Sequence, residues 1–291
     1  MHSDQADLVI VGIDGSRAAQ SAALWGAQET VSRGGELRLI YVVKADLANP
    51  MPAEFYRVEL DKGKTALAAA RRHVLSSVPE VKVKTDILQG NPAGVLVAES
   101  RFASMICIGS NGIGRFSKAL FGSTAETVAN DAACSVAIIR TPDATQSVDF
   151  QPQFVVAPVS VFTDNSEIIR ATVGRARHHR APVLALGVYD NDLGATPCDV
   201  LEEMVNEWRQ DYPDVTWYPV STKAGLDHFL HAHAELSTMV ILNSSVKHNI
   251  SAIVGTIRRG PATTGQLIVF IDRTHPRAVP PAGDEAAVST L

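Results

Sequence analysis

Positive charge is in short supply. Lysine and arginine number 26 against 31 aspartates and glutamates, a formal net charge of −5 over 291 residues. That balance leaves no basic stripe for nucleic acid and no polybasic segment for a membrane surface. No run of about 18 apolar residues occurs, so no transmembrane helix is expected. The opening MHSDQAD is polar and acidic and leads straight into an apolar run, unlike a secretory leader. Cysteine is scarce too. Cys107, Cys134 and Cys198 are too few, and odd in number, for a disulfide framework, which points to a reducing cytoplasm. Cys107 and Cys134 sit in apolar runs, where a thiol behaves as a small buried hydrophobe, and neither has an adjacent histidine to activate it.

What is present is an ordinary globular composition, 46% hydrophobic and 20% charged. The length suits two domains of roughly 100–200 residues each. The first half alternates strand and helix signals. Leu8–Asp14 is a short apolar run bounded by turn residues, the pattern of a strand buried on both faces. Ser16 can cap the Ala-rich helix that follows, and Gly34-Gly35 stops it. Leu37–Val43 is a second apolar strand, and Glu54–Ser77 is a long helix with Leu60, Leu67 and Val74 at helical spacing. Val81–Leu88 reads as strand three. Pro92 suits the first turn of a third helix ending near Phe102. Ser104–Gly109 is strand four, Gly122–Ala132 helix four and Ser135–Arg140 strand five. This order predicts a parallel sheet with helices on both faces.

After the polar, proline-flanked stretch Thr141–Pro152 the pattern repeats. Phe154–Ser160, Val183–Tyr189, Val215–Val220, Thr238–Leu242 and Gln266–Ile271 correspond to the five strands, with helices over Asp164–Arg180, Cys198–Asp211 and Leu226–Glu235. SMICIGSN (Ser104–Asn111) against TMVILNSS (Thr238–Ser245) carries the duplication most openly. The expected fold class is therefore α/β, two tandem doubly wound five-stranded parallel-sheet domains over 1–145 and 152–273. The aperiodic tail, 274–291, is expected to be disordered.

The loop with chemical content is GSNGIGRFSKALFGST, Gly109–Thr124, which leaves a strand and enters a helix. Glycines at 109, 112, 114 and 122 let backbone N–H groups approach an anion without a Cβ in the way. The start of helix four adds its free N–H groups and favourable partial charge. Ser123 and Thr124 add hydroxyls, and Arg115 and Lys118 are nearby cations. Two well-known phosphate motifs are missing. A GxxxxGK[ST] loop would need Lys-Ser/Thr where Arg115-Phe116 stands, and the dinucleotide fingerprint would lie after strand one, where the chain reads VGIDGS. The SGGxDS loop of ATP pyrophosphatases is also absent.

Gly109-Ser-Asn-Gly112, nine residues, then Gly122-Ser123 resembles the ATP-binding loop of the universal stress protein family. Asp14 at the end of strand one, the five-strand order and the duplication agree with it. The resemblance covers about 270 residues and implies a tandem universal stress protein with ATP as ligand. It implies that Asp14, with the backbone of Gly12 and Ile13, lies near adenine and ribose, and that Val42 lines the adenine slot. Gly109, Ser110, Asn111, Gly112, Ile113, Gly114 and Arg115 would wrap ribose and phosphates. Gly122, Ser123 and Thr124 would hold the phosphates, with Mg²⁺ or Mn²⁺ carried on them rather than on dedicated ligands. Single-domain relatives pair through their fifth strands, so Ser135–Arg140 and Gln266–Ile271 are expected to pair within this chain, with at most a dimer of such pseudo-dimers.

The second half departs from this pattern. Ser160 stands at the position of Asp14, Asn243 at Gly109 and Val246 at Gly112, and the loop is one residue short before Gly255-Thr256. A β-branched residue resists the positive φ that such a loop uses, so nucleotide is expected in the first half only. His228, His231 and His233 read as a solvated helix face, since no further ligand is evident. His178-His179-Arg180 read as cations favoured at a helix C-terminus. Three functions remain open: a nucleotide-binding stress-response regulator with a protein partner the sequence does not name, a slow ATPase, and a nucleotide-independent adaptor. No general base or nucleophile-positioning motif is evident, which favours the first.

Overall fold

Val9, Ile10 and Val11 are all fully buried, yet they belong to different cores. Successive strand residues point to opposite faces, so an uninterrupted apolar strand must be covered on both sides. The computed structural model describes residues 7–44, 52–110, 122–141, 151–160, 163–188, 197–243, 250–255 and 265–273. Its first five strands are β1 (Leu8–Ile13), β2 (Glu36–Lys44), β3 (Val83–Gly90), β4 (Met105–Gly109) and β5 (Ser135–Arg140). With them go α1 (Arg17–Ser32), α2 (Ala53–Ser77), α3 (Pro92–Glu99), a 3₁₀ turn at Ser100–Phe102, and α4 (Ser123–Asp131). The second series is β6 (Phe154–Val159), α5 (Ser166–His179), β7 (Val183–Val188), α6 (Pro197–Asp211), β8 (Trp217–Thr222), α7 (Leu226–Ala232), β9 (Thr238–Asn243), α8 (Ile250–Gly255) and β10 (Leu267–Asp272).

All ten strands form one sheet in the order β3-β2-β1-β4-β5-β10-β9-β6-β7-β8. Every neighbouring pair is parallel except β5–β10, which is antiparallel with Leu267 opposite Arg140 and Ile271 opposite Val136. The two five-stranded units expected from sequence are thus continuous through their fifth strands. One face packs on Ala22, Trp25 and Leu67 of α1 and α2 and on Ile169, Leu201 and Val205 of α5 and α6. The other packs on Leu96, Ala125 and Val128 of α3 and α4 and on Leu230, Ile250 and Val254 of α7 and α8. Among the described residues no helix is long and apolar enough to cross a membrane.

Several local expectations meet the structure closely. Ser16 is the N-cap of α1, its Oγ accepting the Ala19 N–H at 3.1 Å. Gly34, at φ 65°, ends that helix in the left-handed conformation. Others need correction. β3 and β8 begin at Val83 and Trp217, each two residues later than the apolar pattern suggests. Val81 and Val215 are buried, but in the turns that precede those strands. The third helix stops at Glu99 and finishes in the 3₁₀ turn. α8 has no counterpart among the helices expected from sequence: Ile250, Ile253 and Val254 have helical spacing and are buried, and a short helix occupies Ile250–Gly255. The expected tail, 274–291, and most of the linker, 142–150, lie outside the described residues.

His178 and His179 lie in the last turn of α5, as expected, but they meet more than the helix dipole. They face Glu29 of α1, which is 2% exposed and pairs with Arg175 of α5 at 2.5 Å. Burial opposes ionisation of Glu29, but the His178 hydrogen bond and the Arg175 and Arg33 charges outweigh it and hold the carboxyl well below its usual range. Burial pushes the His179 imidazole down to about 4, against the pull of Glu29.

Candidate functional site

The C-terminal ends of β1, β2 and β4 open on a cavity of about 500 Å³. In a doubly wound sheet this is where the chain reverses between neighbouring strands and where loops leave room for a ligand. β1 ends at Ile13, and the next three residues turn into α1. Gly15 makes that turn at φ 83°, a conformation that favours glycine. Asp14 Oδ1 accepts the Ser16 N–H at 2.8 Å, so its carboxylate is fixed by the turn it helps to form. Gly12, Ile13 and Asp14 form one wall of the cavity and Ile40, Tyr41, Val42 and Lys44 of β2 another.

The opposite wall comes from β4 and α4. Ile108, Gly109 and Ser110 leave the sheet there, with the Ser110 N–H donating to the Ile139 carbonyl at 2.8 Å. Gly122, Thr124 and Ala125 bring the first turn of α4 to the same space. Gly122 is the N-cap of that helix and has no side chain to cap it, and the N–H groups of a first turn have no partner within their own helix. Pro92 and Leu96 of α3 close the apolar floor with Ile40.

Of the residues selected from sequence, Gly12, Ile13, Asp14, Val42, Gly109, Ser110, Gly122 and Thr124 converge on this one cavity. Ser123 begins α4 beside it without lining it. Asn111, Gly112, Ile113, Gly114 and Arg115 lie outside the described residues. The sequence reading missed Tyr41, Lys44 and Glu59. Tyr41 and Lys44 flank Val42 on β2 and strand position alone could have suggested them. Glu59 comes from α2, and only packing brings it near: it accepts from the Tyr41 hydroxyl at 3.4 Å. The Lys62 hydrogen bond holds Glu59 below its usual pKa, and burial together with Glu59 raises that of Tyr41.

Gly109 has a role that the phosphate-loop reading did not contain. A Cβ there would stand 2.2 Å from the Ala18 carbonyl carbon and oxygen, so the end of β4 touches the first turn of α1. At Gly122 nothing among the described residues lies within 4 Å of such a Cβ. The two glycines of one motif therefore do different work: the first seats a helix, the second leaves space.

Residues 7–140 match the family model described as the universal stress protein family. One universal stress protein of Mycobacterium tuberculosis is 36% identical over 247 residues, 85% of this chain and 89% of its own. The chain belongs to the universal stress protein family. A second Mycobacterium tuberculosis universal stress protein is 32% identical over 256 residues, covering 83% and 90% of the two chains. A crystal structure of a universal stress protein from Archaeoglobus fulgidus aligns over 92% of this chain and 97% of its own, with a TM-score of 0.68 at 16% identity, a likeness of fold. Both the relatives and this fold neighbour span the second half as well as the first.

Within that family fold the second half of the chain is built differently at the corresponding strand ends. Ser160 takes the place of Asp14, and its N–H and carbonyl are both bonded by the Asn165 side chain at 3.0 and 2.7 Å. Asn243 takes the place of Gly109, and its Nδ2 donates to Glu167 Oε2 at 2.7 Å. Where Gly109 lets β4 lie against α1, a side-chain pair stands between β9 and α5.

Proposed function

We propose that this universal stress protein binds an adenine nucleotide, ATP, in the cavity of its first half and acts as a nucleotide-responsive regulator, not as an efficient catalyst. The observation that carries this reading is the meeting of the N-terminus of α4 with the ends of β1, β2 and β4 around one cavity. A helix N-terminus favours an anion, and about 500 Å³ lies within the usual range of small-ligand sites. The apolar floor of Ile40, Val42 and Leu96 suits a base. Asp14 suits ribose hydroxyls, and Gly122 and Thr124 suit phosphates. Lys44 adds a cation on the rim that can meet negative charge or an adenine edge. A Mg²⁺ or Mn²⁺ ion would travel with the phosphates.

One site per chain follows from the substitutions in the second half. Losing two or three backbone or charge-assisted contacts at roughly 1.5–3 kcal/mol each weakens a site by at least about a hundredfold. Calorimetry with ATP on nucleotide-free protein should give a stoichiometry of one per chain; two equivalent sites would overturn the asymmetry. Hydrolysis is expected to be slow because no Walker lysine follows the loop. Turnover near about 1 s⁻¹ that disappears in Gly122→Val would replace the regulator with an ATPase.

A further inference from the structure

Glu29, His178 and His179 are the one place among the described residues where three metal-ligating side chains converge, with their ligand atoms all within 4.8 Å of one another. They lie on the face of the sheet opposite α3 and α4, in the seam between α1 and α5. The two oxygens of Glu29 are used differently. Oε2 takes both guanidiniums, Arg175 Nη1 at 2.5 Å and Arg33 Nη2 at 3.4 Å. Oε1 faces both imidazoles, His178 Nε2 at 3.3 Å and His179 Nε2 at 3.8 Å. The rings stand nearly perpendicular, 80° apart with centroids at 4.6 Å, so both ring nitrogens turn toward the same oxygen.

A tetrahedral ion with bonds of about 2.0–2.1 Å sets its ligand atoms roughly 3.3 Å apart. The Oε1–Nε2 separations are at or slightly above that spacing, so a small ring rotation admits an ion between them. We propose that these three residues form a binding site for a divalent ion of the zinc class, with two imidazoles and one carboxylate as ligands. The fourth position opens toward solvent past His178, whose side chain is 37% exposed, and is filled by water. The guanidiniums on Oε2 are outer partners that orient the ligating carboxylate, a recurrent arrangement around metal ligands. Arg33 is itself balanced by Asp7 at 3.5 Å, which limits the positive charge an incoming cation meets. Such an ion would tie α1 of the first half to α5 of the second.

The test uses the full-length chain, dialysed against EDTA and free of nucleotide, titrated with Co²⁺ and then Zn²⁺. The expected result is one equivalent of Co²⁺ per chain with the visible absorption of a tetrahedral nitrogen–oxygen site, displaced by Zn²⁺. Zn²⁺ should also raise the melting temperature. His178→Gln, at the half-exposed rim, should melt like the parent in EDTA yet bind at least about tenfold more weakly. The controls His228→Gln/His231→Gln and Cys198→Ser remove surface ligands outside the cluster and should bind as the parent does. Absence of the cobalt spectrum in the parent would overturn the proposal and leave the cluster an ion-pair staple only. So would unchanged affinity in His178→Gln, or loss of binding in either control. Should His178→Gln fail to fold, the cobalt spectrum and stoichiometry of the parent and the two controls decide the matter alone.

Discussion

A methyl group at residue 109 would have to share space with the backbone of α1. Because that neighbour is main chain and not the tip of a flexible side chain, relief requires moving a helix, and overpacking of this kind costs about 1–3 kcal/mol or more. Gly109→Ala is therefore expected to lower the melting temperature whether or not nucleotide is present, and it is unsuited as a probe of binding alone. Gly122 is the better probe. Its φ of −59° is open to any residue and no described residue lies within 4 Å of a Cβ there, so Gly122→Val should fold with a change within about 1 kcal/mol. Its branched side chain projects where phosphate would lie, and ATP affinity measured by calorimetry should fall at least about tenfold. Equal affinity would remove the helix N-terminus from the site. At the same scale, Cys107 and Cys134 are buried and burial raises both thiols, Cys134 to about 11, whereas Cys198 is exposed. A thiol reagent should titrate one cysteine rapidly in the native protein and all three after denaturation.

At the scale of elements, α4 is held at both ends by different halves of the chain. Its N-terminus belongs to the cavity. Its C-terminal carbonyls receive Arg273, which follows β10: the guanidinium donates to Ala129, to Asn130 at 3.3 Å and to Cys134 at 3.4 Å, while the Arg273 N–H donates to Ser135 Oγ at 3.0 Å. Last-turn carbonyls have no partner within their own helix, and a cation there also suits the helix dipole. Arg273→Ala should lower stability by about 1–3 kcal/mol in denaturant titration, with Arg273→Lys in between. A change within error would mean that water replaces the guanidinium at no cost. None of this contact is legible in the sequence, because residues 129 and 273 are brought together only by the β5–β10 pairing. α1 is the opposite case. Its cap at Ser16, its stop at Gly34 and its apolar face are all local signals, and they fix the helix before any packing is known.

For the whole molecule the decisive feature is the antiparallel junction in the middle of the sheet. All six residues of β5 are buried, and β10 supplies the cover on its outer side. The seam is reinforced by Glu29 with Arg175 and by the Arg175 guanidinium over the Phe270 ring at 3.8 Å. Residues 1–145 expressed alone would expose an apolar edge strand and strip Glu29 of Arg175 and both imidazoles. That fragment should self-associate or aggregate in light scattering, while the full chain keeps a defined size. A monomeric fragment with full ATP affinity would show that the second half is not a structural partner. This junction also gives the second half a reason to persist with Ser160 and Asn243 at its strand ends: it completes the sheet that carries the first.

The order of strands and helices, the buried character of each strand and the glycine loop opening on α4 are local properties, written in periodicity, caps and turn residues that act over a few positions of chain. The duplication, and with it the family resemblance, is equally readable along the sequence. Tertiary structure alone decided the rest. It set the antiparallel register in which the fifth strands, expected from the family resemblance to pair, join two five-stranded units into one sheet, because strand edges are satisfied by whatever strand lies beside them and not by sequence neighbours. It drew Tyr41, Lys44 and Glu59 to the cavity of Asp14 and Gly122, and turned Gly109 from a loop glycine into the seat of α1. It set His178 and His179 against Glu29, 149 and 150 positions away along the chain, a meeting that depends on the crossing of α1 and α5 and on no feature of either helix taken alone.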